Sequence, residues 1–348
     1  MLTFYAYIRG SLEVMAEEYR ESIAAVGAGA LADEIIAGRR LTREDDLETL
    51  ITCDLNELKA GADRIREKFS GKKVNLCTIL SGIEGRCSEN CKFCAQSGHN
   101  HTGCEHHGML SEDEIVAAAR ANQEEGVDRF SIVNSGKTPT AADFEKLVSV
   151  FERMNRELEI ETCASVGFLS AEQLHRLHEA GVAAVHCNLE TSRRYFPSIC
   201  TTHTYDEKIE NIRRAQREGL KVCSGGIIGM GETWEDRIEM ALELADLHVD
   251  SIPINSLMPI KGTPLENQPR LTEDEILRTI AIYRYINPEA DIRLAGGRAL
   301  MADNGRTAFL AGASASITGN MLTTSGSTIR MDKEMLEKLG RETHPAYC

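Results

Sequence analysis

The sequence predicts an α/β protein whose central unit is a (β/α)8 TIM-type barrel with an N-terminal helical extension. Two observations indicate this fold. From Ser111 onward, a short apolar segment and then a helical segment recur about every 30 residues, as repeated strand–helix units require. The helical segments begin with capping boxes, in which Ser or Thr caps the helix and an acidic residue or Gln three positions later reaches back. These pairs are Ser111 with Glu114, Ser170 with Gln173, Thr204 with Glu207, Thr272 with Glu275 and, as a looser version, Thr233 with Asp236.

The apolar segments predict eight strands. They contain many β-branched residues and are bounded by glycines and polar loops, which is typical of parallel strands buried on both faces. The predicted strands span residues 74–80, 129–133, 160–164, 183–189, 221–227, 251–257, 292–295 and 313–318. Eight strands alternating with helices close a barrel, whereas loss of the last two would leave a partial barrel of six.

The chain shows no internal linker rich in Pro, Gly or Ser, which favours one catalytic domain. Residues 1–73 are charge-rich and helical in pattern, and we expect them to pack on the outside or base of the barrel. The barrel itself is predicted over residues 74–330. Residues 331–348 are predicted to form a C-terminal helix or tail.

The composition excludes several classes of protein. Hydrophobic residues make up 42% of the 348 residues and charged residues 27%, near the average for globular proteins. The net charge of −15 comes without a clustered basic patch, which argues against a nucleic-acid partner. The chain lacks a run of about 18 apolar residues that would span a membrane, and residues 1–9 are too short and too soon followed by charge for a secretion signal. We therefore expect a cytoplasmic protein.

Three of the 11 cysteines form a compact motif, Cys87, Cys91 and Cys94, with the spacing C-x3-C-x2-C. The motif follows the first predicted strand. Three thiolates on such a loop can hold three irons of a cubane and leave the fourth iron open for an exchangeable ligand. The spacing leaves a structural zinc site as the alternative. Its fourth ligand would come from His99, His101 or Cys104.

With Phe93 before its last cysteine, this motif resembles the cluster loop of the radical S-adenosylmethionine (SAM) superfamily. The resemblance implies a [4Fe-4S] cluster whose open iron binds SAM, and reductive cleavage of SAM to a 5′-deoxyadenosyl radical. It also implies that Phe93 lies against the adenine of SAM.

Further segments resemble the biotin synthase family, from about residue 70 almost to the C-terminus. They lie at residues 91–97, 188–192, 221–233, 254–255, 261–265 and 293–294. The resemblance implies conversion of dethiobiotin to biotin, with two hydrogens abstracted in succession and sulfur taken from a second, auxiliary iron–sulfur cluster.

The resemblance also assigns roles to individual residues. Asn188 and Glu190 would hold the SAM ribose, and Asn188 would also reach the substrate. Asn255 would form hydrogen bonds with the ureido ring, which is complemented by an amide group that both donates and accepts hydrogen bonds. Thr323 and Thr324 would receive the substrate carboxylate.

The auxiliary cluster is where the sequence departs from the family pattern of three barrel cysteines and an arginine. Cys163, Cys223 and Arg293 stand at three of these positions, but Ser131 stands at the fourth. The neighbouring strand offers Cys187, and we interpret this as relocation of a ligand. The pattern resembles the variant biotin synthases of anaerobes, which favours a four-iron auxiliary cluster carrying an extra sulfide over a [2Fe-2S] cluster.

A second departure is His203, where the family has an arginine that helps to hold the SAM carboxylate. An ordinary histidine is mostly neutral near pH 7, so we expect a weaker contact there. The other cysteines match no family position, and we expect ordinary structural roles for them. They are Cys53, Cys77, Cys104, Cys200 and Cys348.

The resemblance also implies a flavodoxin or ferredoxin as reductant, and a homodimer. Two other functions stay open from the sequence. Because of Ser131 and His203, the chain could be a related radical SAM enzyme, a mutase or a maturase of a metal cofactor. The more distant alternative is a zinc-binding interaction module.

Overall fold

The computed structural model describes residues 27–319 and 327–343. Its centre is a sheet of parallel strands that closes on itself, because β5 pairs with both β4 and β7. The strands are β1 (Asn75–Ile83), β2 (Arg129–Asn134), β3 (Glu161–Ser165), β4 (Ala184–His186), β5 (Lys221–Cys223), β6 (Gly226–Ile228), β7 (Ser251–Ser256), β8 (Asp291–Leu294) and β9 (Ala315–Ile317). The predicted closed barrel is confirmed, and the partial barrel of six strands is wrong.

The fifth predicted strand, 221–227, is interrupted and forms β5 and β6. Gly225 and Gly226 lie at this break because the backbone approaches its neighbours closely there. A Cβ atom on Gly225 would lie 2.1 Å from the carbonyl oxygen of Pro253, and one on Gly226 would lie 2.4 Å from that of Glu190. The fourth strand is also shorter than the predicted 183–189.

Helices surround the barrel and begin where the capping boxes predict. All five boxes are present with both of their reciprocal hydrogen bonds, including the looser pair Thr233 and Asp236. The helices, numbered along the chain, are α1 (Ala28–Ile36), α2 (Glu48–Thr52), α3 (Leu55–Ser70), α4 (Glu112–Glu124), α5 (Ala141–Glu157), α6 (Ala171–Glu179), α7 (Tyr205–Arg217), α8 (Trp234–Asp246), α9 (Glu273–Ile286) and α10 (Ile329–Lys338).

Both ends of the described chain are tied to the barrel. In the N-terminal part, α1 and α3 pack on each other and on α9, and the Tyr285 hydroxyl donates to the carbonyl oxygen of Ala28 at 2.8 Å. Near the C-terminus, the buried guanidinium of Arg298 donates two hydrogen bonds to Asp332 in α10, at 2.7 and 2.8 Å. Within residues 27–319 and 327–343, none of the helices is long and apolar enough to cross a membrane.

Candidate active site

A cavity of about 410 Å3 lies at the C-terminal ends of the strands, where barrels of this type carry their active sites. The loop after β1 and the ends of most strands line it. Among the lining residues are Cys87, Cys91, Phe93, Cys94, Cys187, Asn188, Glu190, His203, Cys223, Asn255 and Arg293. The structure therefore brings most of the residues predicted from the sequence to one cavity.

The cysteine loop is held in shape by backbone hydrogen bonds. The Gly98 amide donates to the Cys87 carbonyl at 2.8 Å. The Asn100 side chain donates to the carbonyls of Cys91 and Cys94, at 3.2 and 2.8 Å. Cys87, Cys91 and Cys94 all line the cavity, and a set of three thiols on one loop fits an iron–sulfur cluster with an open iron.

Cys200 and His203 form a second polar group beside this loop. The Cys200 sulfur lies 3.7 Å from that of Cys91 and 3.4 Å from Nδ1 of His203. Nδ1 of His203 is also 2.6 Å from a carboxylate oxygen of Glu89. Although burial lowers the pKa of His203, its hydrogen bonds to Cys200 and Glu89 outweigh this and raise the pKa above its ordinary value. These contacts therefore favour the protonated form of His203 more than water would.

Asn188 and Glu190 occupy the loop after β4. The Glu190 backbone has φ of 72°, a left-handed conformation that is uncommon outside glycine. The ammonium group of Lys208 donates to the Asn188 carbonyl at 2.8 Å and lies 3.9 Å from the Glu190 carboxylate. Burial raises the pKa of Glu190, and the nearby charge of Lys208 opposes that rise. Lys208 thus helps to keep a buried carboxyl ionised.

We did not predict Lys208 as a site residue, although its position on the amphipathic helix α7 indicates a buried lysine. The buried positions of α7 include Tyr205, Lys208, Ile209 and Ile212, which follow helical spacing. A lysine on the apolar stripe of an amphipathic helix faces the interior and needs a partner there.

Asn255 lies at the end of β7, between the main cavity and an adjoining one of about 280 Å3 that Phe93 and Glu190 also line. Its Nδ2 atom donates to the Gly226 carbonyl at 3.1 Å, and its Oδ1 atom accepts from the Gly296 amide at 3.0 Å. An amide group has a second N–H and a second lone pair. One donor and one acceptor of Asn255 therefore stay available to a ligand.

Cys223 and Arg293 line the floor of the cavity, whereas Cys163 is buried on β3 and is not among the residues that line it. Cys163 and Cys223 are buried on β3 and β5, and their pKa values are raised by burial. Arg293 reaches from β8 across to β1, where its guanidinium donates to the side chain of Asn75 at 2.6 Å. Cys77 of β1, which we did not predict to be part of the site, also lines the cavity.

Cys187 and Ser131 occupy different surroundings. The Cys187 sulfur lies 3.9 Å from the Lys208 carbonyl, on the side of the cavity next to α7. The preceding residue, His186, is in register with Cys223, and burial lowers the pKa of this histidine to about 3. Ser131 is buried on β2, and its hydroxyl lacks a hydrogen-bond partner among the described residues.

The remaining residues named from the sequence either do not line the cavity or lie outside the described part of the chain. Thr323 and Thr324 lie outside the described residues, as does Cys348. His99 contacts the Ser88 carbonyl, and Cys104 contacts Glu84. Within the described chain, the one group of three or more potential metal ligands found close together is Cys91, Cys200 and His203. The fourth ligand of a zinc site is therefore not supplied by His99, His101 or Cys104.

Two family models match the chain. Residues 83–244 match the radical SAM superfamily, and residues 253–342 match the biotin and thiamin synthesis associated domain. The first contains the cysteine loop and strands β2 to β6. The second contains most of β7, together with β8, β9 and α10.

Curated relatives cover nearly the whole chain. The biotin synthases of Clostridium beijerinckii and Alkaliphilus metalliredigens are each 56% identical over 310 residues, which is 89% of this chain and 98% of theirs. The biotin synthase of Brachyspira hyodysenteriae is 48% identical over 89% of this chain and 93% of its own.

Solved structures share the fold at low identity. Methylornithine synthase (PylB) aligns with a TM-score of 0.79 and 21% identity, covering 91% of this chain and 98% of its own. HydG, a maturase of the [FeFe]-hydrogenase, aligns with a TM-score of 0.76 and 16% identity, covering 94% of this chain and 78% of its own. At these identities the likeness shows the fold alone. The curated relatives, in contrast, are similar enough in sequence to show the family. This chain belongs to the biotin synthase family of radical SAM enzymes.

Proposed function

We propose that this protein inserts sulfur into dethiobiotin to give biotin, with sulfur drawn from an auxiliary iron–sulfur cluster. The observation that supports this most directly is the shared cavity. It is lined by the cysteine loop, by Asn188 and Asn255, and by thiols of the barrel floor. A cavity with these three groups can hold SAM, a small polar substrate and a sulfur source close together.

The upper part of the cavity suits SAM. Cys87, Cys91 and Cys94 would hold a [4Fe-4S] cluster, which with bound SAM supplies the chemistry of hydrogen abstraction. Phe93 offers an apolar face for the adenine. Glu190, kept ionised by Lys208, accepts hydrogen bonds from the ribose hydroxyls, and the Asn188 side chain is fixed near it by its bond to the Gly225 amide at 3.2 Å.

The substrate would lie between Asn188 and Asn255. A ureido ring carries N–H donors and a carbonyl acceptor, and it is neutral. The free donor and acceptor of the Asn255 amide complement it without placing a charge against it. We propose that Thr323 and Thr324 receive the carboxylate at the other end of the substrate.

The auxiliary cluster would lie on the cavity floor. We propose Cys163, Cys187 and Cys223 as its thiolates and Arg293 as the cation beside it, and we favour a four-iron cluster with an extra sulfide over a [2Fe-2S] cluster. A buried arginine next to thiolates offsets part of their negative charge. The displacement of a ligand away from Ser131 supports a cluster different from the two-iron form.

The reductant and the oligomeric state complete the proposal. We propose a flavodoxin or ferredoxin as the electron donor and a homodimer as the assembled enzyme. His203, whose contacts with Cys200 and Glu89 favour its protonated form, would attract the SAM carboxylate in place of the family's arginine.

The proposal is tested by anaerobic incubation of the reconstituted protein with SAM, a strong reductant and dethiobiotin. Mass spectrometry should detect biotin, with about two 5′-deoxyadenosines per biotin because two hydrogens are removed. Asn255→Ala should lower biotin formation while deoxyadenosine is still produced. Deoxyadenosine without any biotin in the unmodified protein would reject dethiobiotin as the substrate.

A further inference from the structure

We propose that Cys77 of β1 is a thiolate ligand of the auxiliary cluster. This inference rests on the proposed function only in taking from it that a second cluster occupies the barrel floor. We assigned Cys77 no role from its sequence context, because single cysteines are common in buried strands as small apolar side chains. Its position in the barrel is what separates it from that ordinary role.

Strand register places Cys77 on the inner face of the barrel with Cys163. Residues paired in a parallel sheet point to the same face, as do alternate residues within a strand. Cys77 pairs with Arg129, and Ser131, two residues later, pairs with Cys163. Cys77 and Cys163 therefore lie on the same inner face of the barrel. Ser131, which offers no thiol, lies between them.

Arg293 connects the same face of β1 to the expected cluster site. Its guanidinium donates to the carbonyl and the side-chain oxygen of Asn75, at 3.2 and 2.6 Å. It also donates to the Ser251 hydroxyl and the Ser316 carbonyl, both at 3.2 Å. Asn75 precedes Cys77 by two residues, so Cys77 is the next inward side chain above the arginine. Arg293 and Cys77 both line the cavity.

The surroundings of the Cys77 thiol are consistent with a ligand. The side chain is 2% exposed, and its sulfur has one weak contact, with the carbonyl of the next residue, Thr78, at 3.5 Å. Burial raises its pKa to about 11, whereas the charge of Arg293 lowers it and that of Cys223 raises it. Cys77, Cys223 and Arg293 are thus close enough to affect each other's charge.

A cluster on the barrel floor needs a further thiolate ligand. Iron–sulfur clusters of both the two-iron and the four-iron type take four ligands. Cys163 and Cys223 supply two thiolates, and Ser131 leaves β2 without one. Cys77 takes the remaining thiolate position in place of Cys187, the third member of the set proposed above. Cys187 lies toward the carbonyl of Lys208 at the α7 side, whereas Cys77 lies beside Arg293 on the floor. Cys77 supplies the missing thiolate from β1, the strand on the other side of Ser131 from Cys163.

The test measures the metal and not the activity. Cys77→Ser and Cys77→Ala are reconstituted anaerobically with 57Fe and sulfide beside the unmodified protein. Cys163→Ser serves as the positive control. Cys53→Ser is the matched control, because Cys53 lies outside the barrel next to Arg278. Iron, acid-labile sulfide and Mössbauer spectra are recorded for each.

Both Cys77 variants should lose the auxiliary-cluster signal and about half of their iron if both clusters contain four irons, as Cys163→Ser should. The remaining SAM-cluster signal shows that each variant is folded. Two Cys77 variants with the full iron content and an unchanged spectrum would overturn the inference, most clearly if Cys187→Ala lost the cluster instead. An unmodified protein that makes biotin with a single cluster would also overturn it. That result would remove the auxiliary cluster from the proposed function but would leave the conversion of dethiobiotin to biotin standing.

Discussion

At the scale of single residues, the site depends on how neighbouring groups stabilise a few buried charges. Glu190 is the clearest case, because its carboxyl is enclosed and one ammonium group, that of Lys208, lies within 3.9 Å. The protonation of Glu190 is therefore set by burial and by Lys208 together.

Lys208→Met should weaken SAM binding by about tenfold or more, which corresponds to about 1.4 kcal/mol. Without the ammonium group, the pKa of Glu190 rises further, which favours the protonated carboxyl, a weaker partner for two ribose hydroxyls. Isothermal titration of SAM into the reconstituted protein measures this. Lys146→Met, at an exposed position on α5, is the matched control, and equal affinities for the two variants would contradict the role of Lys208.

The raised pKa of Glu190 also predicts a pH dependence. A carboxyl whose pKa is raised in the folded protein is ionised only above that higher value. As the pH is lowered, SAM affinity should therefore fall at a higher pH than the one at which an ordinary glutamate titrates, about 4.3. The measurement is SAM binding as a function of pH over the range in which iron content stays constant.

Glu190→Gln is the variant that isolates this effect. Its amide does not titrate, so its SAM affinity should be lower at neutral pH but flat across the same range. The same pH dependence in Glu190→Gln and in the unmodified protein would show that another group is responsible.

At the scale of elements, the break between β5 and β6 shapes the site. It lets the loop after β4 lie against Gly226, where the Ile227 amide donates to the Glu190 carbonyl at 2.9 Å. It also ends β5 at Cys223, on the cavity floor. The two glycines at the break thus help to position both a SAM-binding residue and a cluster thiol.

Gly226→Ala should destabilise the protein by about 1–3 kcal/mol and reduce SAM binding, because its Cβ would lie 2.4 Å from the Glu190 carbonyl oxygen and 2.6 Å from the Met240 sulfur. Anaerobic thermal melting and SAM titration measure both effects. Gly108→Ala is the control, since a Cβ there meets nothing within 4 Å. A Gly226 variant that behaves like the Gly108 variant would mean that the close approach is not needed.

The elements also show what the sequence predicts well and what it does not. The capping boxes are formed as predicted because each depends on residues three positions apart in the chain. The break in the fifth strand was signalled by Gly225 and Gly226, but whether paired glycines interrupt a strand depends on how closely neighbouring backbones approach. Cys77 was missed for a similar reason, since its closeness to Arg293 arises from strands that are distant in sequence.

At the scale of the whole molecule, the C-terminal part is fastened to the barrel by a buried ion pair. Arg298, in the loop after β8, and Asp332, in α10, are 3% and 2% exposed in their side chains. Arg298 also donates to the carbonyl of Asn304 at 2.9 Å. The pair joins α10 to the loop after β8.

Asp332→Asn should lower stability by about 3–5 kcal/mol, because it leaves the Arg298 charge buried without its carboxylate. Glu334→Gln is the matched control on the same helix, where the pair with Arg330 is exposed at 58% and 84% and contributes about 0–1 kcal/mol. Anaerobic thermal melting compares the two. Similar melting temperatures for both variants would show that α10 is not fastened by this pair.

The central claim is that a second cluster in the barrel supplies the sulfur of biotin. The most direct measurement reconstitutes the protein with 34S-sulfide, removes free sulfide, and follows one turnover with SAM, reductant and dethiobiotin by mass spectrometry. The account predicts biotin that carries 34S, together with loss of the auxiliary-cluster signal or of its extra sulfide. Unlabelled biotin would contradict it by placing the sulfur source elsewhere, and labelled protein that forms deoxyadenosine but no biotin would contradict the proposed reaction itself.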